Sequence, residues 1–270
     1  MSVMPPVPTT VPRLVATDLD GTLLRTDGTV SPYTISVLEE LDRRDIPVVF
    51  VTGRPLRWAR EVFEHVGSHG LAVISNGAMV WDVAADAPVA QYSIPAEVSQ
   101  QVAAAIRADM PEVRFSIETV EGWSTETGHF RNRRLTPLRE APLAEILDQP
   151  VLKLLASWEG ADPDEFVARA LELVGDAVEV THSSFPLLEI SARGVTKAST
   201  LARICAERGI DSADVVAFGD MPNDLPMLNW VGTSYAMRNG HYAVLTQATH
   251  HAPTHEEDGV ARVLAGLLDL

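Results

Sequence analysis

The sequence predicts an α/β protein: a doubly wound core built on a parallel sheet, with an α+β segment inserted in the middle of the chain. Three observations carry this. Short apolar runs alternate with helical patterns at both ends of the chain. The apolar runs are hydrophobic throughout rather than every second residue, as strands covered on both faces are. Between about 83 and 187 the simple alternation breaks down, which marks an α+β insert.

The elements follow in order. Arg13 to Leu19 reads as a buried strand that Gly21 and Thr22 end. Ser31 is placed to cap a helix whose first turn holds Pro32, with Ile35, Leu38 and Leu41 at helical spacing. Ile46 to Thr52 is a second strand, Leu56 to Val66 a helix, and Leu71 to Ser75 a third strand closed by Asn76 and Gly77. Met79 to Ile94 reads as a hairpin turning near Asp86 to Pro88, and Pro95 to Asp109 as a helix. Val113 to Glu118 and Val151 to Trp158 are strand-like, and Asp162 caps a helix over 163–174. Val178 to Thr181 and Leu187 to Ile190 are strands. Alternation then resumes: helix Thr196 to Arg208, strand Val215 to Phe218, helix Leu225 to Trp230, strand Thr233 to Met237, and a last helix over 256–268. The expected division is a core of 1–82 and 188–270 around an insert of 83–187.

Composition excludes several classes. The net charge of −16 argues against a nucleic-acid partner, which needs a basic surface. No run of eighteen apolar residues is present, so a membrane span is not expected, and the Pro-rich start does not read as a signal peptide. A single cysteine, Cys205, fits a small buried residue in a cytoplasmic protein. Oligomeric state leaves no mark in the sequence.

Polar residues cluster where strands end. Asp18 and Asp20 follow the first strand, Thr52, Gly53 and Arg54 the second, Asn76 the third, and Asp220, Asn223 and Asp224 a later one. In an open parallel sheet such ends converge, and ligands bind there. Carboxylates brought together repel and raise one another's proton affinity until a cation relieves them. Oxygen ligands without histidine or cysteine favour Mg2+. Lys197, opening a helix after Gly194, is expected to reach a phosphoryl oxygen as a mobile point charge.

The segment Asp18-Leu19-Asp20-Gly21-Thr22-Leu23-Leu24 resembles the first signature of the haloacid dehalogenase-like (HAD) superfamily. Val51-Thr52-Gly53-Arg54-Pro55, Gly194-Val195-Thr196-Lys197 and the run from Gly219 to Leu228 match further motifs in order, and Ser75-Asn76-Gly77-Ala78 also fits. The pattern is most similar to Cof-type phosphatases (type IIB), and the resemblance covers nearly the whole chain. It implies a Rossmann-like core with a cap domain and Mg2+-dependent hydrolysis of small phosphorylated metabolites, such as sugar phosphates or cofactor-like phosphates. It implies that Asp18 attacks phosphorus and forms an aspartyl-phosphate, and that Asp20 is the general acid and base. Leu19, Thr52, Gly53, Lys197 and Asn223 would hold the phosphoryl group. Asp18 and Asp220, with the Asp20 carbonyl, would bind the metal, and Asp224 would support it from behind. A phosphomutase and a non-catalytic phosphate sensor remain alternatives.

Other residues carry weaker readings. Arg131 and Arg133, in the most basic stretch of the insert, are candidates for selecting an anionic substrate. Arg54 reads as a loop stabiliser, Asn76 equally as a turn residue or a site residue, and Asp224 equally as a helix cap or a site residue. His250, His251 and His255 lie in an expected loop and read as unrelated to metal. The five tryptophans read as packing residues.

Overall fold

In the computed structural model, residues 11–65, 70–128, 137–182 and 187–270 are described. They form two compact units. One holds the residues up to Arg54 with Trp58–Ala90 and Thr196–Leu270, and the other holds Pro55–Arg57 and Gln91–Val195.

In chain order, the larger unit begins with strand β1 (Leu14–Thr17), helix α1 (Pro32–Arg43), β2 (Val48–Val51), α2 (Leu56–Ala59, partly in the other unit), β3 (Leu71–Ile74), β4 (Met79–Asp82) and β5 (Ala87–Gln91). β1, β2 and the last three residues of β3 are buried throughout, which accounts for a sequence that is apolar but for Thr17 at the end of β1. α1 starts where the sequence places it: Ser31 accepts the Thr34 N–H at 3.0 Å, with Pro32 at the first helical position. The helix expected over 56–66 narrows to one turn, α2, followed by a 3₁₀ turn at Arg60–His65 that still buries Val62 and Phe63.

The smaller unit contains α3 (Ala96–Asp109), β6 (Arg114–Glu118), β7 (Trp123–Glu126), β8 (Arg139–Ala141), α4 (Leu143–Ile146), β9 (Lys153–Ser157), α5 (Pro163–Val174), β10 (Val178–Thr181) and β11 (Leu187–Ala192). Its six-stranded sheet runs β10-β11-β9-β6-β7-β8 and is antiparallel except for the β7–β8 pair. Alternate residues such as Phe115, Ile117, Leu154, Ala156, Leu188 and Ile190 join Val102 and Ile106 of α3 and Phe166 and Ala170 of α5 in one core. Asp162 caps α5 by accepting from the Asp164 and Glu165 N–H groups. β7 and β8 escape the sequence reading because they are polar and short, and cross-strand pairing alone makes them strands.

The larger unit then closes with α6 (Lys197–Glu207), β12 (Val215–Gly219), α7 (Leu225–Trp230), β13 (Thr233–Met237), α8 (Tyr242–Gln247), β14 (His250–Ala252) and α9 (Gly259–Leu267). Its eight-stranded sheet runs β14-β13-β12-β1-β2-β3-β4-β5. β1 pairs in parallel with β2 on one side and β12 on the other, so the order reverses there. One face of the sheet packs on Leu201, Ile204 and Cys205 of α6 and on Met227 and Leu228 of α7. On the other, α1 packs against α9 and β2.

Several expectations shift. From residue 83 onward the hairpin at 79–94 falls inside the expected insert, yet β5 lies beside β4 in the large sheet, and the second unit takes up the chain at Gln91. At the other end β11 pairs with β9 and β10, so the second unit runs to Val195 instead of ending at 187. His250 to Ala252, expected as a loop, is β14, paired in parallel with β13. The last helix begins at Gly259 and not at Glu256, because Asp258 adopts left-handed backbone and separates it from a 3₁₀ turn. No helix among the described residues is long and apolar enough to cross a membrane.

Candidate active site

The loops after β1, β2, β3 and β12 bring Asp18, Asp20, Thr52, Asn76, Asp220, Asn223 and Asp224 to one end of the parallel sheet, at the point where strand order reverses. This is where open α/β sheets bind ligands. Asp18 continues directly from β1, its N–H bonded to the Phe218 carbonyl. The next turn is folded tightly by the N–H groups of Thr22, Leu23 and Leu24, which all donate to the Leu19 carbonyl.

Glycine is required at position 21. Its φ is +73°, and a Cβ there would lie 2.3 Å from Asp220 Oδ2. The motif loop therefore lies directly against Asp220. Thr22 completes the join, its hydroxyl donating to Asp220 Oδ1 at 3.0 Å.

Lys197 forms the centre. Its Nζ is 2.6 Å from Asp18 Oδ1 and 2.6 Å from Asp224 Oδ1, and all three side chains are buried. The lysine was expected to be a mobile charge; instead it is pinned, because Thr196 caps α6 through a reciprocal bond pair with Ser199 and aims the first turn into the site. Burial disfavours its charge, but Asp18 and Asp224 outweigh that and hold the ammonium above its ordinary value.

Asp224 has both oxygens engaged. Its Oδ2 accepts from the N–H groups of Asp220 at 2.9 Å and Met221 at 3.0 Å. It does not cap α7 through its side chain, so the helix-cap reading gives way to one in which it braces Lys197 and the Asp220 turn.

One carboxylate oxygen from each of Asp18, Asp220 and Asp224 lies within 4.8 Å of the others. Burial pushes the Asp18 carboxyl well above the usual range, Lys197 pulls it back, and Asp224 and Asp220 push it further up. Asp220 is pushed up to about 7 by burial and by Asp224, against the Thr22 hydrogen bond. Three buried carboxylates share one lysine, so the cluster is short of positive charge. Among the described residues no hydrogen bond engages Asp18 Oδ2 or Asp220 Oδ2. A hard cation fits this oxygen donor set and relieves the same imbalance.

Asp20 is more open. Arg54 grips it in a fork, Nη2 to Oδ1 at 2.6 Å and Nε to Oδ2 at 2.8 Å, and also donates to the Trp58 carbonyl. Arg54, read from sequence as a loop stabiliser, thus holds the second aspartate of the first motif. Thr52 is buried, and its hydroxyl accepts the Arg54 N–H at 3.0 Å. Leu19 and Gly53 sit in the turns that follow β1 and β2. Asn223 is buried and donates through Nδ2 to Asn76 Oδ1 at 3.1 Å.

Two contributors escaped the sequence reading. Thr22 lies inside the first motif but had no partner until the fold supplied Asp220. Asn239 donates to the Gly21 carbonyl at 2.7 Å and accepts the His255 N–H at 3.1 Å, a role with no local signature. Arg131 and Arg133 lie outside the described residues. The histidines have other duties: the His250 ring stacks on Tyr235, His251 Nε2 meets the Leu245 carbonyl, and His255 Nε2 meets Thr26. Cys205 is buried in the core, as expected.

A parallel sheet presenting aspartates around one buried lysine at its switch point defines an α/β protein with a carboxylate-rich site. Comparison with known proteins specifies it further. The haloacid dehalogenase-like hydrolase family model matches residues 15–264, and the chain belongs to that family. It is 30% identical over 268 residues to the 5-amino-6-(5-phospho-D-ribitylamino)uracil phosphatase YitU of Bacillus subtilis, covering 94% of this chain and 97% of that one. It is 29% identical over 235 residues to the HMP-PP phosphatase of Serratia proteamaculans, covering 84% of each. It shares the fold of a solved HAD subclass IIB sugar phosphatase, BT4131, with a TM-score of 0.81 at 18% identity, over 95% of this chain and 99% of that one.

Proposed function

We propose that this hydrolase is a magnesium-dependent phosphatase of small phosphorylated metabolites, sugar phosphates or cofactor-like phosphates, with Asp18 as nucleophile. One observation carries the reading: Asp18 is fixed by Lys197 through Oδ1, while Oδ2 has no hydrogen-bond partner among the described residues. A carboxylate held by one oxygen keeps the other for attack. Covalent catalysis then divides hydrolysis into two easier displacements.

In the first step an Asp18 oxygen bonds to phosphorus and the ester P–O bond breaks. The departing oxygen takes a proton from Asp20, and an aspartyl-phosphate remains. In the second step Asp20 takes a proton from water, the water oxygen bonds to phosphorus, and Asp18 leaves with its electron pair. Inorganic phosphate is released and Asp20 carries its proton again. Through both steps Arg54 holds one Asp20 oxygen at the mouth of the first motif, while the other turns out of the fork to give and take the proton. Lys197, Thr52, Asn223 and the N–H groups of Leu19 and Gly53 orient the phosphoryl oxygens and balance their charge. Magnesium, held by Asp18, Asp220 and the Asp20 carbonyl, would supply charge neutralisation at the phosphoryl oxygens. Asp224 keeps Lys197 and the Asp220 backbone in place. The inserted unit selects the leaving group, and the protein works in the cytoplasm.

The test is a panel of phosphorylated metabolites assayed with magnesium, reading free phosphate and isomerised ester. It includes sugar phosphates and the substrate types of the two phosphatase relatives. Free phosphate should accumulate, and Asp18→Asn should abolish it. Isomerised sugar phosphate in its place would establish a mutase. Absence of turnover across the panel, or undiminished turnover in Asp18→Asn, would reject the proposal.

A further inference from the structure

The turn after β3 carries a device that the catalytic reading leaves unused. Ser75, Asn76 and Gly77 take φ values of +52°, +57° and +105° in succession. Side chains with a Cβ rarely adopt such backbone, and runs of it persist only where surrounding contacts impose it. Here they do. The Ser75 N–H donates to the Arg54 carbonyl at 3.0 Å and the Asn76 N–H to the Thr52 carbonyl at 3.0 Å. The Thr200 hydroxyl of α6 donates to the Gly77 carbonyl at 2.8 Å. A Cβ on Gly77 would lie 2.4 Å from the Thr196 carbonyl, so the turn sits flush against the start of α6. The turn is thereby tied to the loop bearing Thr52 and to the helix bearing Lys197.

From this fixed platform the Asn76 side chain reaches Asn223. Its Oδ1 accepts from Asn223 Nδ2 at 3.1 Å, with both residues buried. Asn223 Oδ1 is also buried and has no partner among the described residues. The two ends of an amide have nearly the same shape, so only hydrogen bonds decide which way it faces. For Asn223 the acceptor on Asn76 makes that choice.

We infer that Asn76 is a positioning residue that fixes the amide plane of Asn223 and so presents its second N–H to the phosphoryl group. The inference rests on the reading of Asn223 as a phosphoryl-binding residue. It explains why asparagine stands at 76. Glycine would satisfy the left-handed backbone but offers no acceptor. Aspartate would offer the acceptor but would add another buried carboxylate beside a cluster already short of positive charge.

The experiment is a double-mutant cycle on the full chain with magnesium, measuring p-nitrophenyl phosphate turnover and inhibition by orthovanadate, a phosphoryl mimic. Asn76→Gly keeps the turn and removes the acceptor. It should lower kcat and weaken vanadate inhibition, each by about tenfold, the scale of one oriented hydrogen bond. Asn223→Ala should do at least as much. In the double variant the Asn76 change should add no more than about twofold, because its partner is already gone. Multiplying effects would overturn the inference, as would a fully active Asn76→Gly. If Asn223→Ala itself leaves vanadate inhibition unchanged, the phosphoryl-binding reading of Asn223 fails, and the inference fails with it. Asn76→Ala separates positioning from stability, since it removes the same acceptor while straining the backbone. Equal losses of vanadate affinity in Asn76→Gly and Asn76→Ala, whatever their melting temperatures, support the inference. Losses that track melting temperature refute it.

Discussion

Replacing Lys197 by methionine removes the only ammonium that the described residues bring to the buried aspartate cluster and keeps most of the side-chain volume. Asp18 and Asp224, each 2.6 Å from Nζ, then face each other without a counter-charge. The least costly response is for one of them to take a proton. For a carboxyl with an ordinary value of 3.8, holding that proton at pH 7 costs about 1.36 kcal/mol per unit, about 4 kcal/mol in all. At pH 5 the same cost is under about 2 kcal/mol. The pH 7 figure agrees with the ~3–5 kcal/mol typical of breaking a buried ion pair. The sign follows from proton counting. Between about pH 4 and pH 7 the folded variant holds a proton that the unfolded chain has released, so its stability falls as pH rises. Urea denaturation in EDTA at pH 5 and pH 7, on wild type and variant, measures this. The variant's deficit should grow by about 2–3 kcal/mol between the two pH values, and magnesium should shrink it by supplying the missing positive charge. A deficit independent of pH, or none at either pH, would refute the argument that Lys197 serves as the counter-charge of the cluster.

Three further outcomes are expected. Gly21→Ala, whose Cβ would lie 2.3 Å from Asp220 Oδ2, should displace that carboxylate, lower stability by about 1–3 kcal/mol, and raise the magnesium concentration needed for half-maximal activity; a titration of activity against magnesium checks it. Arg54→Ala releases Asp20 from its fork. Its kcat should fall about tenfold or more for alkyl phosphates, and less for p-nitrophenyl phosphate, whose leaving group needs little protonation; comparing the two substrates reads this directly. Burial pushes the Cys205 thiol up to about 11, so it should resist a thiol reagent at pH 8 in the native protein and react promptly in denaturant, a difference seen by absorbance.

The elements of the sheet that build the site were legible because local chemistry and global fold agree in them. Unbroken apolar runs at 14–16, 48–51 and 215–218 carry strands buried on both faces. Ser31 and Asp162 mark helix starts because the bond each makes is to its own next turn. Asp18, Asp20, Lys197, Asp220 and Asp224 were marked by their places just after strands or at a helix start. What escaped was short or depended on a distant partner: β7 and β8, β14, the shift of the insert from 83–187 to 91–195, and the part played by Asn239.

The sequence by itself determined where the motif residues stand, because the motifs sit where the chain must leave a strand and turn. The tertiary structure decided what those residues do to one another. Lys197 became a clamp between two aspartates and not a mobile charge, Arg54 became the holder of Asp20, and Asn76 became the partner of Asn223. These contacts join residues between 27 and 179 positions apart. Hydrogen bonds act over about 3 Å, so they exist only once the order of parallel strands has brought the loops together.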